Sequence, residues 1–283
     1  MRPLGPARDV LNPRRMKILH TALSASLLFT VACDPVVDEQ PSETLDLAVA
    51  MGVEDAGPVG VTVTPDTGVR YVLDEFHGLY RLTDDGAEQV LAIGDFPTPD
   101  VFPVSNWTDI VALGDERFAL TAVSDGYLLD LAGGTLMQHF CYEPGWDEWD
   151  TSYELTTSLG FDAGTNSIIA QPQTISVGDT GESPMGAAVG VYDASLGGDA
   201  PEQWYGLPDA NFLAAGMAVE SASSILLVEE SGALHRFSMD DQGPQNLGFL
   251  EGTERVGGAT LDGDRLLVVD AGTDQLLSYP VSR

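Results

Sequence analysis

Lysine is almost missing from this chain. The single one is Lys17, so no later residue can form a Schiff base or complete a Ser-Lys catalytic pair. Cysteine is nearly as scarce, and Cys33 and Cys141 alone cannot build a disulfide framework or a cysteine-based zinc site. Cys141 lies in a strand-like stretch (TLMQHFCYE) and reads as a buried, inert thiol. Beyond residue 20 there are three histidines, His77, His139 and His235, in unlike local contexts, so a shared metal site is not expected from them. The chain has no phosphate-binding P-loop, no GxGxxG, no GxSxG, no HExxH and no EF-hand loop, and no catalytic residue is assigned. Positive charge is also short, with 12 basic residues against 44 acidic ones. Nucleic acid is excluded as a partner, because binding it requires cations that displace counterions.

The basic residues that do exist are concentrated at the start. Arg2, Arg8, Arg14, Arg15 and Lys17 precede an uncharged, apolar run from Ile18 to Ala32. A basic segment, an apolar run of roughly 7–15 residues and small residues at its end read as a secretory signal over residues 1–32. The run falls short of the roughly 20 apolar residues of a spanning helix. Translation from Met16 would give an equally compact signal. The segment LFTVAC ending at Cys33 resembles the lipobox of bacterial lipoproteins, departing from it at Thr30, where leucine is usual. That resemblance implies lipidation of Cys33 and a membrane anchor; the rival is ordinary cleavage after Ala32. Asp34 is similar to an inner-membrane retention signal of some bacteria. Residues 33–43 then read as the lipidated cysteine and a short acidic tether. Without residues 1–32 the chain keeps 7 basic residues and 43 acids, a net charge near −36 that suits solubility and repels anionic lipid headgroups.

What fills the rest is a repeat. Five segments share the order apolar strand, turn, apolar strand, Gly-containing turn and amphipathic strand, as in GVTVTPDTGVRYVLDEFHGLYRLTDDG and GGATLDGDRLLVVDAGTDQLLSYPV. Second strands are expected to begin near Tyr71, Phe118, Ile168, Ile225 and Leu266, at spacings of 47, 50, 57 and 41 residues. Short β-branched runs bounded by Gly, Asp and Pro at this period predict an all-β fold, a β-propeller of four-stranded blades over residues 44–283. Four repeats have a fourth strand; the last does not. The unassigned apolar segment TLDLAVAMGV (Thr44 to Val53) is therefore predicted to complete the last blade and close the ring, which removes two exposed sheet edges. Five blades is the expected count. Six is the alternative if the insertions after Ile93, Glu143 or Ser176 hide a further hairpin.

The stretch LLVVDAGTDQLLSY resembles the strand–Asp–turn–strand signature of NHL-type propellers, and the chain is loosely similar to SMP-30-like and other secreted bacterial propellers. The resemblance implies a fold. For the calcium-dependent lactonases among those proteins it implies Glu, Asn and Asp ligands in the central channel, but no such set aligns on this chain.

Two constellations are candidates for binding. Asp74, Glu229 and Asp270 each end a second strand, so rotation about a propeller axis brings them to one rim, with Ala122 and Gln171 at the nearest positions of the other blades. Converging carboxylates could hold calcium or a cationic ligand, or raise one another's pKa for acid–base work; the competing reading is that such residues accept backbone N–H bonds at their turns. Tyr142, Trp146, Trp149 and Tyr153, interleaved with acids, could stack on sugar rings or hold cations, or simply cover the end of a blade. The function expected is an exported, lipid-anchored, monomeric domain of the bacterial cell envelope, facing the periplasm or the surface. It would bind a protein, glycan or small molecule without transforming it; the alternative is a calcium-dependent hydrolase of the lactonase type.

Overall fold

A computed structural model describes residues 40–97, 106–114, 116–122, 125–141, 152–178, 181–195, 202–207, 209, 212–240 and 243–281. Cys33, Tyr142, Trp146 and Trp149 lie outside them. The strands run β1 (Glu43–Asp46), then after a short helix α1 (Leu47–Met51), β2 (Pro58–Val63), β3 (Arg70–Asp74), β4 (Gly78–Thr83) and β5 (Gly86–Ala92). Next come β6 (Trp107–Gly114), β7 (Arg117–Ala122), β8 (Asp125–Asp130) and β9 (Thr135–Cys141), then β10 (Ser152–Asp162), β11 (Ser167–Gly178), β12 (Gly181–Asp193) and β13 (Gln203–Gly206). The chain ends with β14 (Ala214–Ser221), β15 (Ser224–Glu229), β16 (Ala233–Ser238), β17 (Gly243–Phe249), β18 (Val256–Asp262), β19 (Arg265–Asp270) and β20 (Gln275–Pro280). Among the described residues these strands form five antiparallel four-stranded sheets. The first strands, β2, β6, β10, β14 and β18, touch one another in sequence, and β18 touches β2, so the ring is closed.

The last blade has the order β1-β20-β19-β18, with Glu43 opposite Ser278 and Asp46 opposite Gln275. The predicted closure is therefore present, but its strand is shorter than expected. Leu47 to Met51 form a helix instead, capped by the Asp46 side chain on the Val49 N–H and ended by Gly52 in the left-handed region. That turn lets Leu47 and Met51 drop into the gap between the last and first blades. The insertion around Ser176 does not add a blade. It lengthens β11 and β12, which stay paired as far as Gly178 and Gly181.

Second strands begin at Arg70, Arg117, Ser167, Ser224 and Arg265, each one residue before the position read from the sequence. Their continuous apolar character has a direct cause. Each blade is packed on both faces, so alternate residues serve different gaps. In β3, Tyr71 and Leu73 enter the cluster shared with the second blade, while Val72 enters the cluster shared with the last. In β19, Leu266 and Val268 face the fourth blade while Leu267 and Val269 face the first. The five hydrophobic clusters of the described residues occupy the five gaps between blades. Truncating a wholly buried leucine such as Leu73 or Leu267 to alanine would cost about 2–5 kcal/mol.

Candidate functional site

Every innermost strand carries an irregularity at the same register. Pro58 faces Asp74 and Gly60 faces Leu73, leaving Val59 as an extra residue. The same two-against-one step makes Thr108, Thr157, Ala215 and Gly257 the extra residues of β6, β10, β14 and β18. β-bulges of this kind re-aim a side chain and tighten the local twist. Here all five extra residues line one cavity of about 470 Å³ at the end of the ring where the second strands finish. None of the five is charged, and none is larger than valine. Glu75, Glu230, Arg255, Asn106, Trp107 and Leu213 stand around them. Trp107 is held by Phe96 and Tyr127, at ring-centre distances of 5.2 and 5.7 Å. A second opening, of about 250 Å³, lies at the opposite end and is lined by Thr62, Val111, Gly160, Met217 and Thr260 among others.

The residue after each bulge points toward the next blade. At Gly60 an added Cβ would lie 2.9 Å from the Asp109 carboxylate. At Gly216 it would lie 2.5 Å from the Ala259 nitrogen, and at Gly258 2.7 Å from the Gly60 Cα. Three of the five junctions thus need glycine, Gly216 and Gly258 because they meet neighbouring backbone and Gly60 because it meets the Asp109 and Ile110 side chains. At the other two the corresponding residues are Asp109 and Ser158, both buried. Asp109 accepts from the Ile110 N–H at 2.8 Å and from the Leu159 N–H at 2.7 Å, joining the second blade to the third. Burial holds its carboxyl well above the usual carboxylate range, against the opposing pull of those two N–H groups. The Thr62 hydroxyl accepts from the Ala112 N–H at 2.7 Å and so joins the first blade to the second. Between the first and last blades, Arg70 pairs with Asp262 at 2.6 Å.

Asp74, Glu229 and Asp270 occupy equivalent rim positions, opposite Pro58, Ala214 and Val256 respectively. Each is engaged within its own blade. Wholly buried Asp74 accepts from the N–H groups of Gly57, Phe76 and His77 and lies 2.9 Å from His77 Nδ1. Asp270, equally buried, accepts from Glu254, Arg255 and Gly272 N–H and from the Thr273 hydroxyl. Glu229 lies 2.6 Å from His235 Nε2, with the Phe212 ring edge-on to that imidazole. Among the described residues no group of three or more His, Cys, Asp or Glu is placed to hold a metal ion.

Ala122 fills the corresponding position of the second blade, opposite Trp107. In the third blade that position is Pro172, not Gln171, because Gln171 faces Ser158 one step inside the bulge. The Gln171 amide donates to the Phe212 carbonyl and accepts from the Ala214 N–H, both at 2.9 Å, fastening the third blade to the fourth. His139 sits in the second blade, its Nε2 3.1 Å from the Asp193 carbonyl, and burial lowers its pKa. The three histidines therefore belong to three different blades. Of the aromatic segment only Tyr153 lies on a described strand, β10, opposite Ile175.

No protein-family model matches the chain, and no curated protein matches it in sequence. Among solved structures it is similar to virginiamycin B lyase from Staphylococcus aureus, at 11% identity over 85% of this chain and 99% of that one, with a TM-score of 0.45. It is also similar to a chain of a mitotic checkpoint complex, at 13% identity over 96% of this chain and 100% of that one, again with a TM-score of 0.45.

Proposed function

We propose that this chain is an exported, lipid-anchored β-propeller of a bacterial cell envelope that binds a ligand at the bulge-lined mouth without transforming it. One observation carries the binding site: five blades of divergent sequence each place a bulge at the same register, and every bulge residue faces the same cavity. A volume of about 470 Å³ lies within the range of small-molecule sites, roughly 300–1,000 Å³. Two of the three rim carboxylates serve their own turns, whereas Glu229 lies against His235. Asp74 and Asp270 are occupied by backbone donors and are not poised as acid, base or metal ligand.

The anchor reading rests on the sequence of residues 1–33, and its location on the same residues. An acyl group on Cys33 would hold a monomeric domain of net charge near −36 beside a membrane whose anionic headgroups repel it. Fractionating the native host and taking the mass of the N-terminal peptide tests the anchor. A diacylated or triacylated Cys33 in the membrane fraction is the expected result, and an unmodified peptide starting at Cys33 would refute it. A photo-crosslinking residue at Leu213, on the mouth, is expected to capture ligand that the same residue at exposed Met137 does not. Equal capture at both positions would remove the mouth as the binding site.

A further inference from the structure

The mouth also carries a charge arrangement that selects among ligands. Six arginines are described: Arg70, Arg81, Arg117, Arg236, Arg255 and Arg265. Four of them pair with carboxylates, on Asp262, Glu88, Glu220 and Glu43. A fifth, Arg117, begins β7 at the opposite end of its blade. Arg255 is the remaining one, and it lines the mouth. Its backbone N–H is fixed on Asp270 at 2.8 Å and one guanidinium nitrogen donates to the Ala271 carbonyl at 3.1 Å. No described carboxylate lies within 4 Å of its guanidinium, and Asp274 acts on it only at longer range, so the other donors of its planar fork remain for a ligand. Glu75 and Glu230 line the same cavity, and neither forms an ion pair among the described residues. Glu230 is tied to the Arg255 side of the mouth, because its carbonyl accepts from the Val256 N–H at 3.0 Å. Between these charges the wall is Val59, Leu213, Ala214, Ala215 and Ala271.

We infer that the mouth takes a small zwitterion with an apolar body, its carboxylate on Arg255 and its ammonium toward Glu75 and Glu230; this rests on the mouth being the binding site. Net charge favours this class over a simple anion. A domain near −36 repels an anion on approach, whereas a molecule of zero net charge meets no such barrier and still satisfies the guanidinium once inside. A simple cation would be steered in but would leave Arg255 facing it. Arginine forks match carboxylate geometry with two parallel N–H···O bonds, which gives direction as well as strength. The apolar wall then accounts for the body of the ligand, since polar groups fix orientation while apolar lining supplies most of the contact in sites of this size.

The experiment is calorimetric titration of the purified full chain with phenylalanine, N-acetylphenylalanine and phenethylamine. The second lacks the ammonium and the third lacks the carboxylate. Phenylalanine should bind, and each comparator should bind about tenfold more weakly or worse, the loss expected for one charged hydrogen-bonded contact. Arg255→Gln should reduce phenylalanine affinity by a similar factor and leave the melting midpoint unchanged, because the side chain is exposed. Ala215→Phe, which fills the cavity, should abolish binding. Phenethylamine binding as tightly as phenylalanine, with Arg255→Gln neutral, would overturn the zwitterion assignment and leave the mouth standing. Binding that survives Ala215→Phe would overturn the mouth itself, and no binding of phenylalanine would overturn the ligand class.

Discussion

Replacing Gly216 with alanine tests the claim that the ring is set by backbone contact between blades. The added Cβ would sit 2.5 Å from the Ala259 nitrogen, 2.6 Å from its Cβ and 2.8 Å from the Gly258 carbonyl carbon. Ordinary contact begins at 3.4 Å, so one inner strand would have to retreat by about 0.9 Å from the nearest atom. A closed ring leaves little freedom for that, because β14 is also held by β10 on its other side. Overpacking of a fixed core costs about 1–3 kcal/mol, and the upper half of that range is expected here. For a domain of this size that corresponds to a fall in melting midpoint of roughly 4–12 °C. Gly206→Ala is the control, because its Cβ would meet nothing within 4 Å and its backbone is extended. It should change stability by about 0.5 kcal/mol or less. Calorimetric melting of both variants decides the matter, with urea unfolding as a second measurement. If Gly216→Ala melts with Gly206→Ala, the inner strands are not in the contact described and the account of the ring fails.

The rim carboxylates invite a different test. Asp270→Asn weakens four hydrogen bonds to a buried acceptor and should cost about 2 kcal/mol, or roughly 4–8 °C, in calcium and in chelator alike. A loss seen only when calcium is present would restore the metal reading. Asp109 predicts a pH dependence. Its folded pKa is raised above the unfolded value, so the folded state binds the proton more tightly and stability falls as pH rises through the interval between the two. Wild type should therefore lose stability relative to Asp109→Asn as pH is raised from about 4 toward neutrality, measured by urea unfolding at several pH values. A constant difference between the two proteins would show that Asp109 does not titrate in that interval.

Repeat period and blade plan were legible because burial on both faces of β3, β7, β11, β15 and β19 leaves an unbroken apolar run in each, visible without any partner. Closure was legible from a deficit, a last repeat without a fourth strand. The helix at Leu47 was not, because five apolar residues fit strand and helix equally and periodicity does not separate them. The side-chain cap by Asp46 and the left-handed Gly52 decide it, and both were present as residue types. The bulges left no such trace. Val59, Thr108, Thr157, Ala215 and Gly257 share no chemistry, and what they share, a register step against a neighbouring strand, exists only once the pairing does. Asp109 was hidden for a related reason. An acid before an apolar run reads as a strand start at the surface, and only the approach of β10 turns it into a buried acceptor. Arg255 could have been found as one of the few cations after residue 32, though not its place at the mouth.

The clasp between the first and last strands also fixes when this protein can be finished. Ser42 bonds to Ser278, 236 residues later. At a synthesis rate of roughly 5–20 residues per second, the leading segment must wait roughly 10–50 s for its partner to leave the ribosome. Throughout that delay it is a lone strand edge, the kind of template that captures neighbouring chains. Its composition suits the wait, because the strand is four residues long and carries Glu43 and Asp46 at its ends. A segment so short and so charged adds little until β20 arrives, which keeps the nascent chain open until its final blade is complete.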